Sequence, residues 1–99
     1  MSPQLQKIKS TASPLLKRHG VKRAALFGSI ARGEDTVASD IDLLVEFKGR
    51  KSLFDLVALE RDLQEQYGRK VDAVTYNSLH PLLRDRILKE QQVIYGQGS

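Results

Sequence analysis

The spacing of apolar residues predicts a helix near the start of the chain. Leu5, Ile8, Ala12, Leu15 and Leu16 recur at helical spacing, which places them on one helical face. Pro14 interrupts this segment, so the pattern predicts either one kinked helix or two short ones. Gly20 follows the last apolar position and is a candidate C-terminal stop for the helix.

Three further apolar segments are short and rich in residues that favour strands. They predict strands at Val21–Phe27, Ile41–Phe47 and Val71–Thr75. A fourth, Val93–Tyr95, predicts a short final strand. Between the first two strands, Gly28 and Ser29 interrupt the apolar run, residues 30–32 could form one helical turn, and residues 33–39 are polar and loop-like.

Two more helices are predicted in the second half of the chain. Ser52 and Asp55 have the spacing of a capping box, and Gly68 is placed to end the helix that follows. Pro81 suits the first turn of a last helix, where its missing N–H costs little. The apolar faces of these two helices are predicted from Leu53, Leu56, Leu59 and Leu63, and from Leu79, Leu82, Leu83 and Ile87.

The resulting order is helix, strand, strand, helix, strand, helix, with the short strand last. It predicts an α/β (α+β) fold in which a small mixed β-sheet packs against helices. With 99 residues and no internal repeat or linker, we expect one domain spanning residues 1–99.

Composition narrows the class of protein only a little. There is no cysteine, which excludes disulfides and Cys-ligated metal sites. The start of the chain lacks the apolar core of a signal peptide, and no apolar run is long enough to cross a bilayer, so we expect a cytoplasmic protein without membrane contact. A net charge of +4 is compatible with a nucleotide, a nucleic acid or an acidic protein as partner, and equally with a solvated surface.

The strongest candidate for chemistry is the pair Asp40 and Asp42 at the start of the second predicted strand. Residues two apart on a strand project to the same side, and two such carboxylates repel each other unless a cation lies between them. Carboxylate oxygens are preferred ligands of Mg²⁺, which predicts a metal clamp. A pair of aspartates on the protein surface is the alternative.

Asp72 is a charged residue inside the third predicted strand. If that strand neighbours the second, Asp72 joins Asp40 and Asp42, and three carboxylates around two Mg²⁺ ions would suit phosphoryl transfer. If it lies at a sheet edge, Asp72 simply faces water.

Gly28 and Ser29 directly follow the first predicted strand. Glycine lets a backbone approach a ligand closely, and Ser29 could offer a hydroxyl and an N–H to phosphate at a helix start. An ordinary strand-to-helix turn has the same sequence pattern.

Together, residues 26–34 (LFGSIARGE) and residues 39–45 (SDIDLLV) resemble the polymerase-β-like nucleotidyltransferase superfamily, which is marked by Gly-Ser, ten residues, then Asp-x-Asp. The chain is most similar to the minimal nucleotidyltransferase (MNT) proteins, and the similarity covers nearly its whole length. The resemblance implies that Gly28 and Ser29 bind the β- and γ-phosphates of ATP and that Asp40 and Asp42 bind two Mg²⁺ ions. It implies that Asp72 completes one metal site and helps to deprotonate the acceptor. Arg32 would either lie near the triphosphate or support the loop.

The resemblance also implies a partner. MNT proteins are commonly paired with a HEPN-domain toxin, on which they adenylylate a tyrosine, so AMP transfer to the toxin with an antitoxin role is the leading hypothesis. Neutralisation of the toxin by binding alone, and nucleotide addition to RNA, are the alternatives. The chain lacks the large acceptor-binding domain of the RNA-tailing relatives, which disfavours direct nucleic-acid binding; the oligomeric state, a homo-oligomer included, stays open.

Overall fold

The computed structural model describes residues 3–33 and 40–96, with side chains from Leu5 onward. The elements run in the order α1 (Pro3–Arg18), β1 (Val21–Phe27), α2 (Gly28–Ala31), β2 (Ile41–Phe47), α3 (Leu53–Tyr67), β3 (Val71–Thr75), a 3₁₀ turn (Tyr76–Ser78), α4 (Pro81–Glu90) and β4 (Gln92–Gly96). The loop predicted at residues 33–39 lies outside the described residues except for Gly33, and so do residues 97–99.

The four strands form one mixed sheet in the order β3-β2-β1-β4. β1 pairs antiparallel with β2 and with β4, whereas β2 and β3 are parallel. The expected mixed sheet packed against helices is therefore confirmed. The chain returns from β2 to a parallel β3 through α3, which is the crossover that parallel strands require.

Alternation of side chains along the strands divides the core between the two faces of the sheet. Ile41, Leu43 and Val45 of β2 face α1 and α3 and belong to the larger buried cluster. Leu44, the residue between them, faces the other way and packs in a smaller cluster beneath α4. The even-numbered positions of β2 and β3 therefore point to the α4 side of the sheet.

α1 is a single helix that continues through Pro14. Pro14 is exposed, so the Ser10 carbonyl that loses its intrahelical partner lies on the solvent side of the helix. The Ser13 hydroxyl donates to the Lys9 carbonyl in the same turn, at 2.7 Å between oxygens. The helix ends before Gly20, whose φ of +73° is the left-handed conformation expected of a glycine stop.

The signals predicted for the ends of α3 and α4 are confirmed. The Ser52 N–H donates to Asp55 Oδ2 at 2.8 Å, which is one half of the capping box. Gly68 caps the other end of α3 with a φ of +65°. Pro81 occupies the first turn of α4, where the His80 ring accepts a hydrogen bond from the Leu82 N–H at 3.1 Å.

The predicted apolar faces of α3 and α4 are partly wrong. Leu53 is 77% exposed because α3 first meets the core one turn later, at Leu56. Leu82 is 85% exposed and Leu83 is 51% exposed. α4 instead packs through Ile87 and Leu88, so only its second half and the preceding Leu79 contact the sheet.

β3 is an edge strand of the sheet, and side chains of α3 accept hydrogen bonds from its outer edge. The Ala73 N–H donates to Glu60 Oε2 at 2.6 Å, and the Val71 N–H donates to Gln64 Oε1 at 3.0 Å. An unpaired strand edge is a template for pairing with another chain. These two side chains satisfy edge N–H groups within the same molecule.

Removing the Glu60 carboxylate should therefore destabilise the fold. Glu60→Ala leaves the Ala73 N–H without its partner, and we expect the free energy of unfolding to fall by about 1–3 kcal/mol. Urea unfolding measures this change. Glu65→Ala, an exposed position on the same helix, is the control and should change stability by less than about 0.5 kcal/mol. Equal effects of the two substitutions would show that Glu60 is not part of the edge protection.

Candidate active site

Asp42 and Asp72 lie side by side on the α4 face of the sheet. Each is the second residue of its strand, and the parallel register pairs Asp42 with Asp72. The neighbouring odd-numbered residues fill the larger core cluster, so both aspartates project to the opposite face. Adjacent strands are about 4.8 Å apart, which brings two carboxylates of like charge together at one end of the sheet.

Asp40 precedes β2 and is more exposed than Asp42. Its Oδ2 atom lies 3.9 Å from the Lys70 Nζ atom, and the two segments are joined by a hydrogen bond from the Ile41 N–H to the Lys70 carbonyl at 2.9 Å. Within residues 3–33 and 40–96, no three acidic or histidine side chains are grouped closely enough to hold a metal ion between them. The structure thus brings Asp42 and Asp72 together, with Asp40 at the entrance to the same strand.

The backbone at Gly28 lies against the Asp42 carboxylate. Phe27, the last residue of β1, pairs with Asp42, and α2 begins at the next residue. Gly28 has a φ of +73°, and a Cβ atom placed on it would lie 2.5 Å from Asp42 Oδ2. Only glycine fits both the backbone conformation and this approach.

Ser29 lies in the short α2 helix, which begins two residues earlier than the sequence predicted. The half-buried serine is next to the glycine that contacts Asp42. The structure therefore places Gly28 and Ser29 at the same end of the sheet as the carboxylate pair.

Arg32, at the end of α2, connects this end of the sheet to α4. Its Nη1 atom lies 3.2 Å from Glu90 Oε2, and the other oxygen of Glu90 lies 3.4 Å from Arg86 Nε. Sequence reasoning missed Glu90. The only signal in the sequence is the i,i+4 spacing of Arg86 and Glu90, which is common on exposed helices.

The electrostatics of the site centre on Asp42. Partial burial raises the pKa of its carboxyl above the ordinary value, and repulsion from Asp72 and then from Asp40 raises it further. The positive charge of Arg32 acts in the opposite direction and offsets part of this rise. The negative charge is thus incompletely balanced by the protein, which is the condition that favours a bound cation.

The donor set fits a hard divalent cation. Carboxylate oxygens from Asp42 and Asp72, with Asp40 just before β2, match the ligands that Mg²⁺ takes, and water and phosphate oxygens usually complete its coordination. Zinc is not favoured, since no histidine or cysteine is among these side chains.

A cleft at the other end of β2 contains none of the predicted site residues. It has a volume of about 520 Å³, and the residues around it include Glu46, Arg50, Lys51 and Asn77. The candidate site is therefore identified by its paired carboxylates and the close glycine, and not by this cleft.

A family model described as the nucleotidyltransferase domain matches residues 6–94. The chain belongs to the nucleotidyltransferase family. It is 57% identical over 86 residues to a putative protein adenylyltransferase of Methanocaldococcus jannaschii, covering 87% of this chain and 92% of that protein. It is 38% identical over 81 residues to protein adenylyltransferase MntA of Thermococcus cleftensis, covering 82% and 80% of the two proteins.

Solved structures agree with this assignment. A structure described as a putative minimal nucleotidyltransferase is 38% identical, with a TM-score of 0.78 over 90% of this chain and 91% of that one. Two toxin–antitoxin structures share the fold at lower identity. One, solved with AMP-PNP, is 22% identical, with a TM-score of 0.79 over 91% of this chain and 74% of that one. The other, a tri-AMPylated Shewanella oneidensis HEPN toxin in complex with MNT antitoxin, is 20% identical, with a TM-score of 0.73 over 94% of this chain and 73% of that one. The predicted MNT resemblance is confirmed.

The nucleotidyltransferase assignment makes this chain an enzyme.

The close approach of Gly28 to Asp42 can be tested by substitution. A left-handed backbone costs a non-glycine residue roughly 1–2 kcal/mol. We expect Gly28→Ala to lower the free energy of unfolding by more than this amount, because the new methyl group also displaces the Asp42 carboxylate. Gly33→Ala is a matched control, since Gly33 has the same φ of +73° and no atom of the described residues lies within 4 Å of its added Cβ. Urea unfolding compares them, and equal losses would show that the Asp42 contact is unimportant.

The raised pKa of Asp42 predicts a pH-dependent effect of Asp42→Asn. The pKa of this carboxyl group is higher in the folded state than in the unfolded state, so its ionisation destabilises the fold. The loss of stability grows as the pH rises from the unfolded-state pKa to above the folded-state pKa. In EDTA at neutral pH, Asp42→Asn should therefore melt at a higher temperature than the parent, and the difference should disappear at a pH below the ordinary pKa. The exposed Asp85→Asn is the control. A lower melting temperature for Asp42→Asn at neutral pH would contradict the electrostatic account.

Proposed function

We propose that this nucleotidyltransferase transfers AMP from ATP to a hydroxyl, a tyrosine in the first instance, of a HEPN-domain toxin, and acts as its antitoxin in the cytoplasm. The observation that carries the proposal is the pairing of Asp42 with Asp72 in parallel register, with the Gly28 backbone against the Asp42 carboxylate. Incompletely balanced carboxylates beside a close backbone suit a cation-bound triphosphate.

The relatives support the choice of nucleotide and acceptor. Proteins 57% and 38% identical to this chain carry the name protein adenylyltransferase. Structures with the same fold have been solved with AMP-PNP and with an AMPylated HEPN toxin. AMP transfer to a protein is therefore the activity to test first.

The residues have distinct roles in the proposed reaction. Gly28 and Ser29 would hold the β- and γ-phosphates, and Arg32, near Asp42, would add positive charge beside the triphosphate. Asp40, Asp42 and Asp72 would bind two Mg²⁺ ions, whose charge stabilises the phosphate oxygens.

The proposed transfer exchanges one phosphorus–oxygen bond for another at the α-phosphorus of ATP. The acceptor oxygen forms a bond to the α-phosphorus of ATP, and the bond from that phosphorus to the α,β-bridging oxygen breaks, so that pyrophosphate leaves. Asp72 would accept the proton of the acceptor hydroxyl and pass it to solvent. The product is a phosphodiester on the acceptor.

A double substitution separates this enzyme from an antitoxin that only covers its target. The toxin is incubated with ATP, Mg²⁺ and this protein, separated from it, and then assayed and weighed by mass spectrometry. We expect the treated toxin to remain inactive and to be heavier by whole AMP units, because a covalent phosphodiester persists after its maker is removed.

The Asp40→Ala, Asp42→Ala variant should lose more than about a hundredfold of this transfer, since changes that merely support a metal ligand already cost roughly 10–100-fold. Its fold is checked by circular dichroism, and Glu65→Ala, an exposed position on α3, is the control. Full protection by the double variant without a mass change on the toxin would show that inhibition occurs by binding.

A further inference from the structure

One side of α4 carries three exposed side chains and a partly buried glutamate, none of which belongs to the core clusters. Leu82 and Leu83 lie one turn before Arg86, and Arg86 lies one turn before Glu90, so the four residues follow one side of the helix. We refer to Leu82, Leu83, Arg86 and Glu90 as the α4 stripe. No residue of α4 is fully buried.

The two leucines of the α4 stripe are not required for packing. Leu82 is 85% exposed and Leu83 is 51% exposed, while Ile87 and Leu88 attach the helix to the sheet. The two adjacent leucines are therefore available to contact another molecule without loss of core packing.

The α4 stripe runs directly into the candidate active site. Glu90 contacts Arg86 through one carboxylate oxygen and Arg32 through the other, at 3.4 and 3.2 Å. The charge of Arg32 in turn influences Asp42. The C-terminal end of the α4 stripe is therefore joined to Arg32, beside the predicted triphosphate site.

The charge around the two leucines favours an acidic partner. Arg86 is paired with Glu90, and the other exposed charges of α4 are Arg84 and Lys89 as cations and Asp85 as the anion. A protein surface with an apolar centre and acidic side chains around it would complement both features. A nucleic acid would pair with the cations but would leave the leucines uncovered.

We infer that the α4 stripe is the docking surface for the acceptor protein, which binds it through an apolar contact ringed by acidic side chains and so brings its hydroxyl to Asp42 and Asp72. This inference rests on the proposed function for the identity of the acceptor. α4 lies on the same face of the sheet as the carboxylate pair, so docking there presents the acceptor from the side on which the reaction occurs.

A second exposed apolar surface provides a matched control. Leu53 is 77% exposed, Phe54 is 86% exposed and Val57 is 47% exposed, all on α3. α3 packs on the opposite face of the sheet, against the larger core cluster. A partner seated there would be separated from Asp42 by the sheet itself.

The test compares two pairs of substitutions in the full chain. Leu82→Asp with Leu83→Asp changes the α4 stripe, and Leu53→Asp with Phe54→Asp changes the α3 surface to a similar degree. The four side chains are at least half exposed, and circular dichroism confirms folding. The probe is the HEPN-domain toxin from the same genome, with affinity measured by calorimetry and AMP transfer measured separately.

We expect the α4 pair to weaken toxin binding by more than about tenfold, as loss of a central contact does, and to lower the transfer rate at subsaturating toxin. Binding of ATP to the enzyme alone should stay unchanged. The α3 pair should bind and transfer like the parent. Loss of affinity in the α3 pair with full affinity in the α4 pair would overturn the inference, as would equal behaviour of the two.

Charge reversal tests the acidic character of the partner. Arg84→Glu should weaken toxin binding and reduce its dependence on salt, whereas Arg61→Glu on α3 should change neither. If Arg84→Glu reduces binding of a single-stranded RNA oligonucleotide and leaves toxin binding unchanged, the surface binds nucleic acid and the inference is wrong. If the parent binds the toxin through α4 but transfers no AMP, the docking surface stands and the proposed function fails.

Discussion

The parallel pairing of β2 with β3 is the constraint on which the site depends. It places Asp42 beside Asp72 on one face of the sheet, while the residues on either side of each aspartate fill the core on the other face. A shift of one residue in this register would move one carboxylate away from the other and turn it toward the core, where an unpaired charge is costly. The apolar neighbours of the two aspartates therefore also hold the carboxylates together.

The proximity of like charges makes ionisation of the Asp42 carboxyl less favourable, and the neighbouring residues offset this effect only in part. Asp42 has a raised pKa because burial and two neighbouring carboxylates oppose its ionisation, and Arg32 offsets this only in part. Gly28 has no side chain, so the chain can pass close to the same carboxylate as it leaves β1. Incomplete charge balance and close backbone approach are both suited to a cation and a phosphate, as expected for a nucleotidyltransferase.

α4 has two different roles along its length. Its second half closes the smaller core cluster and holds Arg32 through Glu90. Its first half contributes little to the core, and Leu82 and Leu83 are exposed there. This exposed half belongs to a helix that packs on the same face of the sheet as Asp42 and Asp72.

The sequence by itself determined most of the elements and the identity of the candidate residues. The ends of the helices at Gly20, Ser52, Gly68 and Pro81 follow from local chemistry, since each satisfies or tolerates backbone groups within a few residues. The alternation of apolar residues with Asp42 and Asp72 likewise marks one face of each strand. These signals depend on neighbours in the chain, which the sequence contains.

Only the tertiary structure decided which strand pairs with which, that Glu90 contacts Arg32, and that Leu53, Leu82 and Leu83 are exposed. An apolar residue at helical spacing has a preferred face, but its burial depends on whether the sheet extends beneath that turn of the helix. Arg32 and Glu90 are 58 positions apart, and no local pattern can encode such a contact. Local signals arise from hydrogen bonding and periodicity within one element, whereas burial and long-range ion pairs arise only when separate elements pack.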